Sequence, residues 1–294
     1  MMERKWYQKK RYWFIGTILL VFFIGRLEPL QMRYHPDELA NSLRPHSPSP
    51  LLFKKKRIEG VTMHYCQLGE NSNLPVVLLV HGSPGSLAAY EDYLKDTLLN
   101  QHANLIAVDR LGFGYSDFGK TVPFLSLQAK LIAAILEDFP HTPKIIIGHS
   151  MGGPVNSRLV LDYPHLVNGM ILIAPSISPD LEPSIWWRKI FDFPFFRWFM
   201  PTAFRVCNQE IIPLKKELIA MENRWKNITC PVSIIQGSAD YLVPAGNAHF
   251  AKEKLVNSSK VQIKVIEGGN HFILWSEIPL IRNTILEMLS EITL

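Results

Sequence analysis

The stretch Lys144-Ile145-Ile146-Ile147-Gly148-His149-Ser150-Met151-Gly152-Gly153 decides how the rest of this 294-residue chain is read. A β-branched apolar run ends on Gly-x-Ser-x-Gly and passes into a helix-compatible segment, the arrangement that holds a serine hydroxyl clear at the tip of a strand. Such a turn crowds its neighbours into a strained conformation, and Gly148 and Gly152 carry no Cβ to clash there. The helix that follows points its free N–H groups back at the turn, so Ser150 sits where negative charge is stabilised. A serine between glycines also suits an ordinary turn; the strand before it and the helix after it are what favour a nucleophile.

Outward from the turn, Arg57 to Tyr65 reads as a strand hairpin turning at Gly60, and Val76 to Val80 and Asn104 to Val108 read as further strands. Gly169 to Ala174, Pro231 to Gln236 and Val261 to Ile266 are apolar runs of the same kind. Helical patterns lie over Leu87 to Leu99, Phe124 to Phe139 and Ile278 to Leu289. Continuous apolar strands alternating with helices predict an α/β domain over residues 54–294, its mainly parallel sheet covered on both faces. Residues 176–228 break the rhythm with Ile185, Trp186, Trp187, Phe191, Phe195 and Trp198 among Pro183, Pro194 and Pro201. This insertion reads as a helical cap over the strand ends, most of its aromatics forming the cap's own core and some facing a ligand.

A serine hydroxyl needs a base to take its proton, and the base needs a group to orient it. Asp240, in Gly237-Ser238-Ala239-Asp240, and His271, in Gly268-Gly269-Asn270-His271, each follow the end of a strand, giving the chain order Ser, Asp, His. Asp180 and Glu267 are the other candidates for the acid. Donors for an oxyanion are expected from the backbone N–H groups of Ser83, in His81-Gly82-Ser83-Pro84-Gly85, and of Met151; Pro84 has no N–H to give. His81 and His149 read as supports for the two loops, and Asp109 as a structural residue.

On the motifs HGSPG, DRLGFGYSD (Asp109 to Asp117), GHSMGG, GSADYLVP and GGNHF, in that order, the chain from about Arg57 to its end resembles the α/β-hydrolase fold family. The resemblance implies an eight-stranded, mainly parallel sheet, a lid, and hydrolysis through an acyl-enzyme at Ser150 with His271 as base and Asp240 as its partner. Relatives with an HG-x-P loop include epoxide hydrolases and haloalkane dehalogenases, which carry Asp at the turn. Ser150 instead favours carboxylic esters, thioesters, lactones or similar acyl compounds. The reading is therefore a serine hydrolase of esters with an apolar acyl or alcohol part, needing no cofactor. An acyltransferase or a carbon–carbon bond hydrolase would use the same triad. A non-catalytic ligand-binding member of the fold would commonly have lost one of the three.

The amino-terminal region adds a location. Arg4, Lys5, Lys9, Lys10 and Arg11 precede an uncharged run from Tyr12 to Gly25, which reads as a membrane anchor or signal segment over residues 1–25. No small-residue cleavage site follows, so an uncleaved transmembrane anchor with the catalytic domain outside the cytoplasm is expected; a secreted or periplasmic protein is the alternative. Residues 26–53, with Pro29, Pro36, Pro45, Pro48 and Pro50, read as a tether. Residues 1–57 carry 12 Lys/Arg against 4 Asp/Glu, a net of +8, and the remainder 19 against 22, a net of −3. A slightly acidic body argues against a nucleic-acid partner. Cys66, Cys207 and Cys230 are too few and scattered for a disulfide scaffold or zinc site, and the histidines lack metal-ligand spacing.

Overall fold

The computed structural model describes residues 6–47, 49–183 and 186–293. The amino-terminal hairpin is β1 (Leu51–Ile58) and β2 (Val61–Leu68), turning at Glu59 and Gly60, both with positive φ. The strands β3 (Val76–Val80), β4 (Asn104–Asp109), β5 (Lys144–His149), β6 (Gly169–Ile173), β7 (Val232–Gly237) and β8 (Val261–Ile266) follow. They form one eight-stranded sheet in the order β1-β2-β4-β3-β5-β6-β7-β8. The pairings β1 to β2 and β2 to β4 are antiparallel and the other five are parallel. Strands buried on both faces need apolar side chains at every position, which is why Val76 to Val80 reads as an unbroken apolar run.

The helices are α1 (Trp6–Ile24), α2 (Pro36–Leu43), α3 (Glu91–Leu94), α4 (Thr97–His102), α5 (Leu125–Leu136) and α6 (Gly152–Asp162), then α7 (Trp186–Phe191), α8 (Pro194–Phe199), α9 (Thr202–Ile211) and α10 (Leu214–Glu222), and finally α11 (Gly246–Lys254), α12 (Ile273–Ser276) and α13 (Ile278–Thr293). On one face of the sheet Leu78, Ile146, Leu172 and Ile234 pack with α5, α6, α10 and α11. On the other, Ile147, Ile173 and Ile235 pack with α2, α3, α12 and α13. Successive strand residues point to opposite faces, so Ile146 and Ile147 fall into different cores.

Three expectations change. Among the described residues no helix is long and apolar enough to cross a membrane. The basic cluster continues into the first turns of α1, and the uncharged run Tyr12 to Gly25 would be about 21 Å long as helix, short of a hydrocarbon core of about 30 Å. The transmembrane reading of α1 is therefore corrected. Residues 26–53 do not hang as a tether: Pro36 starts α2 at the position where its missing N–H costs nothing, and Leu39 and Leu43 are buried in the second core. The cap lies between β6 and β7, as its sequence position requires, and consists of α7 to α10 with short 3-10 turns. Its aromatics are largely not its core: Trp186, Phe193 and Phe195 are each more than 60% exposed, whereas Trp225 at the end of the insertion is fully buried. Ile185 lies outside the described residues.

Candidate active site

The turn after β5 places Ser150 at the carboxyl end of the sheet with φ of 52°, a left-handed conformation that costs a non-glycine residue about 1–3 kcal/mol. The surroundings enforce it. A Cβ on Gly152 would lie 2.3 Å from the Val80 carbonyl oxygen, and one on Gly148 would lie 2.5 Å from that of Gly152. The Ser150 N–H donates to the Ile173 carbonyl at 2.9 Å, fastening the turn to β6.

Asp240 follows β7 and His271 follows β8, and the sheet order brings both loops to the turn. His271 Nε2 lies 3.0 Å from Ser150 Oγ, and His271 Nδ1 lies 2.7 Å from Asp240 Oδ2. With Asp240 ionised, Nδ1 carries the ring proton and donates it, which leaves Nε2 to accept from the serine hydroxyl. The other carboxylate oxygen of Asp240 accepts the N–H groups of Leu242 at 3.0 Å and Val243 at 2.8 Å, so the acid itself is held in place. The two rival acids, Asp180 and Glu267, are both exposed.

His149 Nε2–H donates to the His271 carbonyl at 3.1 Å, bracing the backbone of the base. Burial, then the neighbouring His271, pushes the His149 pKa down to about 3, so the ring stays neutral. The loop after β3 presses on the turn: a Cβ on Gly82 would sit 3.0 Å from Ser150 Cβ, which puts Ser83 and Met151 on the two segments flanking the nucleophile. Under the cap, Ser176 donates to Glu182, whose carboxyl is pushed above its ordinary range by burial. Cys66, Cys207 and Cys230 are all unbridged, and burial raises the Cys66 thiol to about 12 and the Cys230 thiol to about 11. Among the described residues no group of three or more His, Cys, Asp or Glu is placed to hold a metal ion.

Sequence reasoning missed a buried polar group beside this site. Arg110 is paired with Glu210 of α9 and with Gln128 of α5. Arg110 stands in the DRLGFGYSD stretch, but its carboxylate partner lies 100 residues further on, where local pattern says nothing.

Sheet order, turn and cap define an α/β-hydrolase, and comparison with known proteins agrees. A family model described as alpha/beta hydrolase fold matches residues 75–210. Monoglyceride lipase of Rattus norvegicus is 24% identical over 257 residues, covering 76% of this chain and 84% of the lipase. Among solved structures, a candidate lipase from Acinetobacter baumannii superposes with a TM-score of 0.68 at 18% identity, covering 87% of this chain and 96% of that one. Est816, an N-acyl homoserine lactone degrading enzyme, superposes with a TM-score of 0.63 at 18% identity, covering 80% and 99% respectively. The chain has the α/β-hydrolase fold, and the proteins it is similar to include lipases and esterases of that fold.

Proposed function

We propose that this protein is a serine hydrolase that cleaves a carboxylic ester with an apolar acyl or alcohol part. The observation that carries the reading is one imidazole bonded at one nitrogen to Ser150 and at the other to Asp240. Ser150 Oγ attacks the ester carbonyl as His271 Nε2 takes its proton, and Asp240 stabilises the imidazolium that results. The tetrahedral oxyanion is held by the N–H groups of Ser83 and Met151. His271 then protonates the leaving alcohol, the acyl group stays on Ser150, and a water activated by the same imidazole releases the acid. Similarity to monoglyceride lipase supports an ester with a long apolar part. The further part of the reading is location: the exposed apolar α1, followed by the domain, attaches the protein to a membrane without spanning it.

Purified protein is expected to hydrolyse p-nitrophenyl acyl esters and to be labelled by a fluorophosphonate probe. Ser150→Ala should abolish labelling and lower kcat by about a millionfold. Labelling that persists in Ser150→Ala removes Ser150 from the mechanism.

A further inference from the structure

The Gly82–Ser83 peptide is gripped from one side. Its carbonyl accepts Arg110 Nη2 at 3.0 Å and the ring N–H at His81 Nδ1 at 2.7 Å. One residue earlier, the His81 carbonyl accepts Arg110 Nε at 3.0 Å, and His81 Nε2 accepts the Arg110 backbone N–H at 3.0 Å. A peptide unit is planar and trans, so its C=O and N–H point in opposite directions. Fixing the Gly82 carbonyl therefore fixes the direction of the Ser83 N–H. A charged donor on the carbonyl also polarises the peptide and strengthens its N–H as a donor.

The far side of the guanidinium belongs to the cap. Arg110 Nη1 and Nη2 make a two-point pair with Glu210 at 2.8 and 2.9 Å, and Nη1 also donates to Gln128 Oε1 at 2.7 Å. Gln128 Nε2 donates in turn to Glu210 at 3.2 Å and to the Val122 carbonyl at 3.0 Å. All five guanidinium N–H donors are thus used, two on the loop carbonyls and three on the carboxylate and amide. Arg110 and Glu210 are each about 1% exposed, so neither charge has water to replace a lost partner. His81 stays neutral because burial, then the adjacent Arg110 charge, drives its pKa well below the ordinary value, which keeps Nε2 an acceptor.

We propose that Arg110 is a positioning residue that aims the Ser83 N–H at the oxyanion, and that cap helix α9 holds that aim through Glu210. The assignment rests on the serine-hydrolase reading, and it makes the seating of the cap a condition for a working oxyanion hole. No bond is made or broken by the pair; it acts only on the transition state.

Four variants, Glu210→Gln, Glu210→Asp, Arg110→Lys and Gln128→Met, are compared with wild type on a soluble p-nitrophenyl ester, with folding checked by thermal melting. An alkyl boronic acid, which forms a tetrahedral adduct with Ser150, and an uncleavable ether of the same chain length are measured as inhibitors. Glu210→Gln and Arg110→Lys should lower kcat about 10- to 100-fold with KM within about twofold. Boronate affinity should fall in parallel while ether affinity is unchanged, and Glu210→Asp should recover part of the loss. Gln128→Met, which leaves both charges in place, should show a smaller loss with the same split and decides the matter should the charge variants not fold. Folded variants with kcat within twofold of wild type, or a change confined to KM and ether binding, overturn the assignment. Wild-type protein whose Ser150 reacts with no probe or ester overturns the underlying reading first, and this one with it.

Discussion

At the scale of single residues, chain order named Ser150, Asp240 and His271, because each stands at the end of an apolar run where a loop must begin. Chain order favoured Asp240 over Asp180; in the structure Asp240 is buried and bonded to His271, whereas Asp180 is exposed. His149 shows what such a site costs in acid. Its folded pKa is about 3 and its unfolded value about 6.5. Between those values the unfolded chain binds one more proton than the folded one, so stability is complete above about pH 6.5 and falls as pH drops towards 3, by about 1.4 kcal/mol per unit. His81 contributes with the same sign. His149→Gln, whose amide can still donate to the His271 carbonyl, should lose one proton's worth of this dependence. Urea midpoints measured from pH 7 to pH 4.5 will show it, and identical slopes for variant and wild type would contradict the assignment of a neutral ring.

At the scale of elements, β3 to β7 were legible almost to the residue because strands buried on both faces admit few polar residues. Val261–Ile266 matches the expected bounds, and the sheet has the expected eight strands. The helix expected over Leu87 to Leu99 is broken instead. Asp96 leaves the helical path and accepts the N–H groups of Leu98 and Leu99, capping a new helix that an apolar count would run together with the first. The basic run Lys54 to Arg57 lies in β1, at the edge of the sheet, where lysines discourage pairing with another chain. The turn at Ser150 gives a test at this scale. The Val80 carbonyl already accepts the Tyr90 hydroxyl at 2.9 Å, so it cannot retreat from a new methyl group on residue 152. Gly152→Ala should cost about 1–3 kcal/mol by overpacking and lose fluorophosphonate labelling. Gly16→Ala, with nothing within 4 Å of the new Cβ, should leave labelling unchanged.

At the scale of the molecule, the charge split and the exposed apolar surface point the same way. The side chains of Trp13, Phe14, Leu20 and Phe23 are all exposed on α1, on more than one side of the helix. From Tyr12 to Ile24 α1 carries no charge, and a stretch of helix apolar on more than one side favours an apolar surrounding. The end of α1 is fastened to the cap: Phe22 lies on Trp198 with ring centroids 4.5 Å apart, and Arg26 donates to the Trp198 carbonyl at 3.2 Å. Gly25 passes so close to the Phe199 carbonyl that a Cβ there would come within 2.5 Å. The apolar faces of α1 and α8 are therefore presented together, with Lys10 and Arg11 on the same helix as the exposed apolar residues of α1. That charge opposes association between copies through this end and favours an anionic lipid surface. Full-length Ser150→Ala, which removes turnover from the measurement, should sediment with vesicles containing anionic lipid, less with zwitterionic ones, and less again at high salt. Replacing Phe14 and Phe23 together by Ser should weaken partitioning by more than about tenfold, since a fully buried Phe contributes about 1.5–3 kcal/mol. Partitioning that is absent in the parent, or indifferent to both phenylalanines, would remove the membrane from the proposal and leave hydrolysis at Ser150 standing.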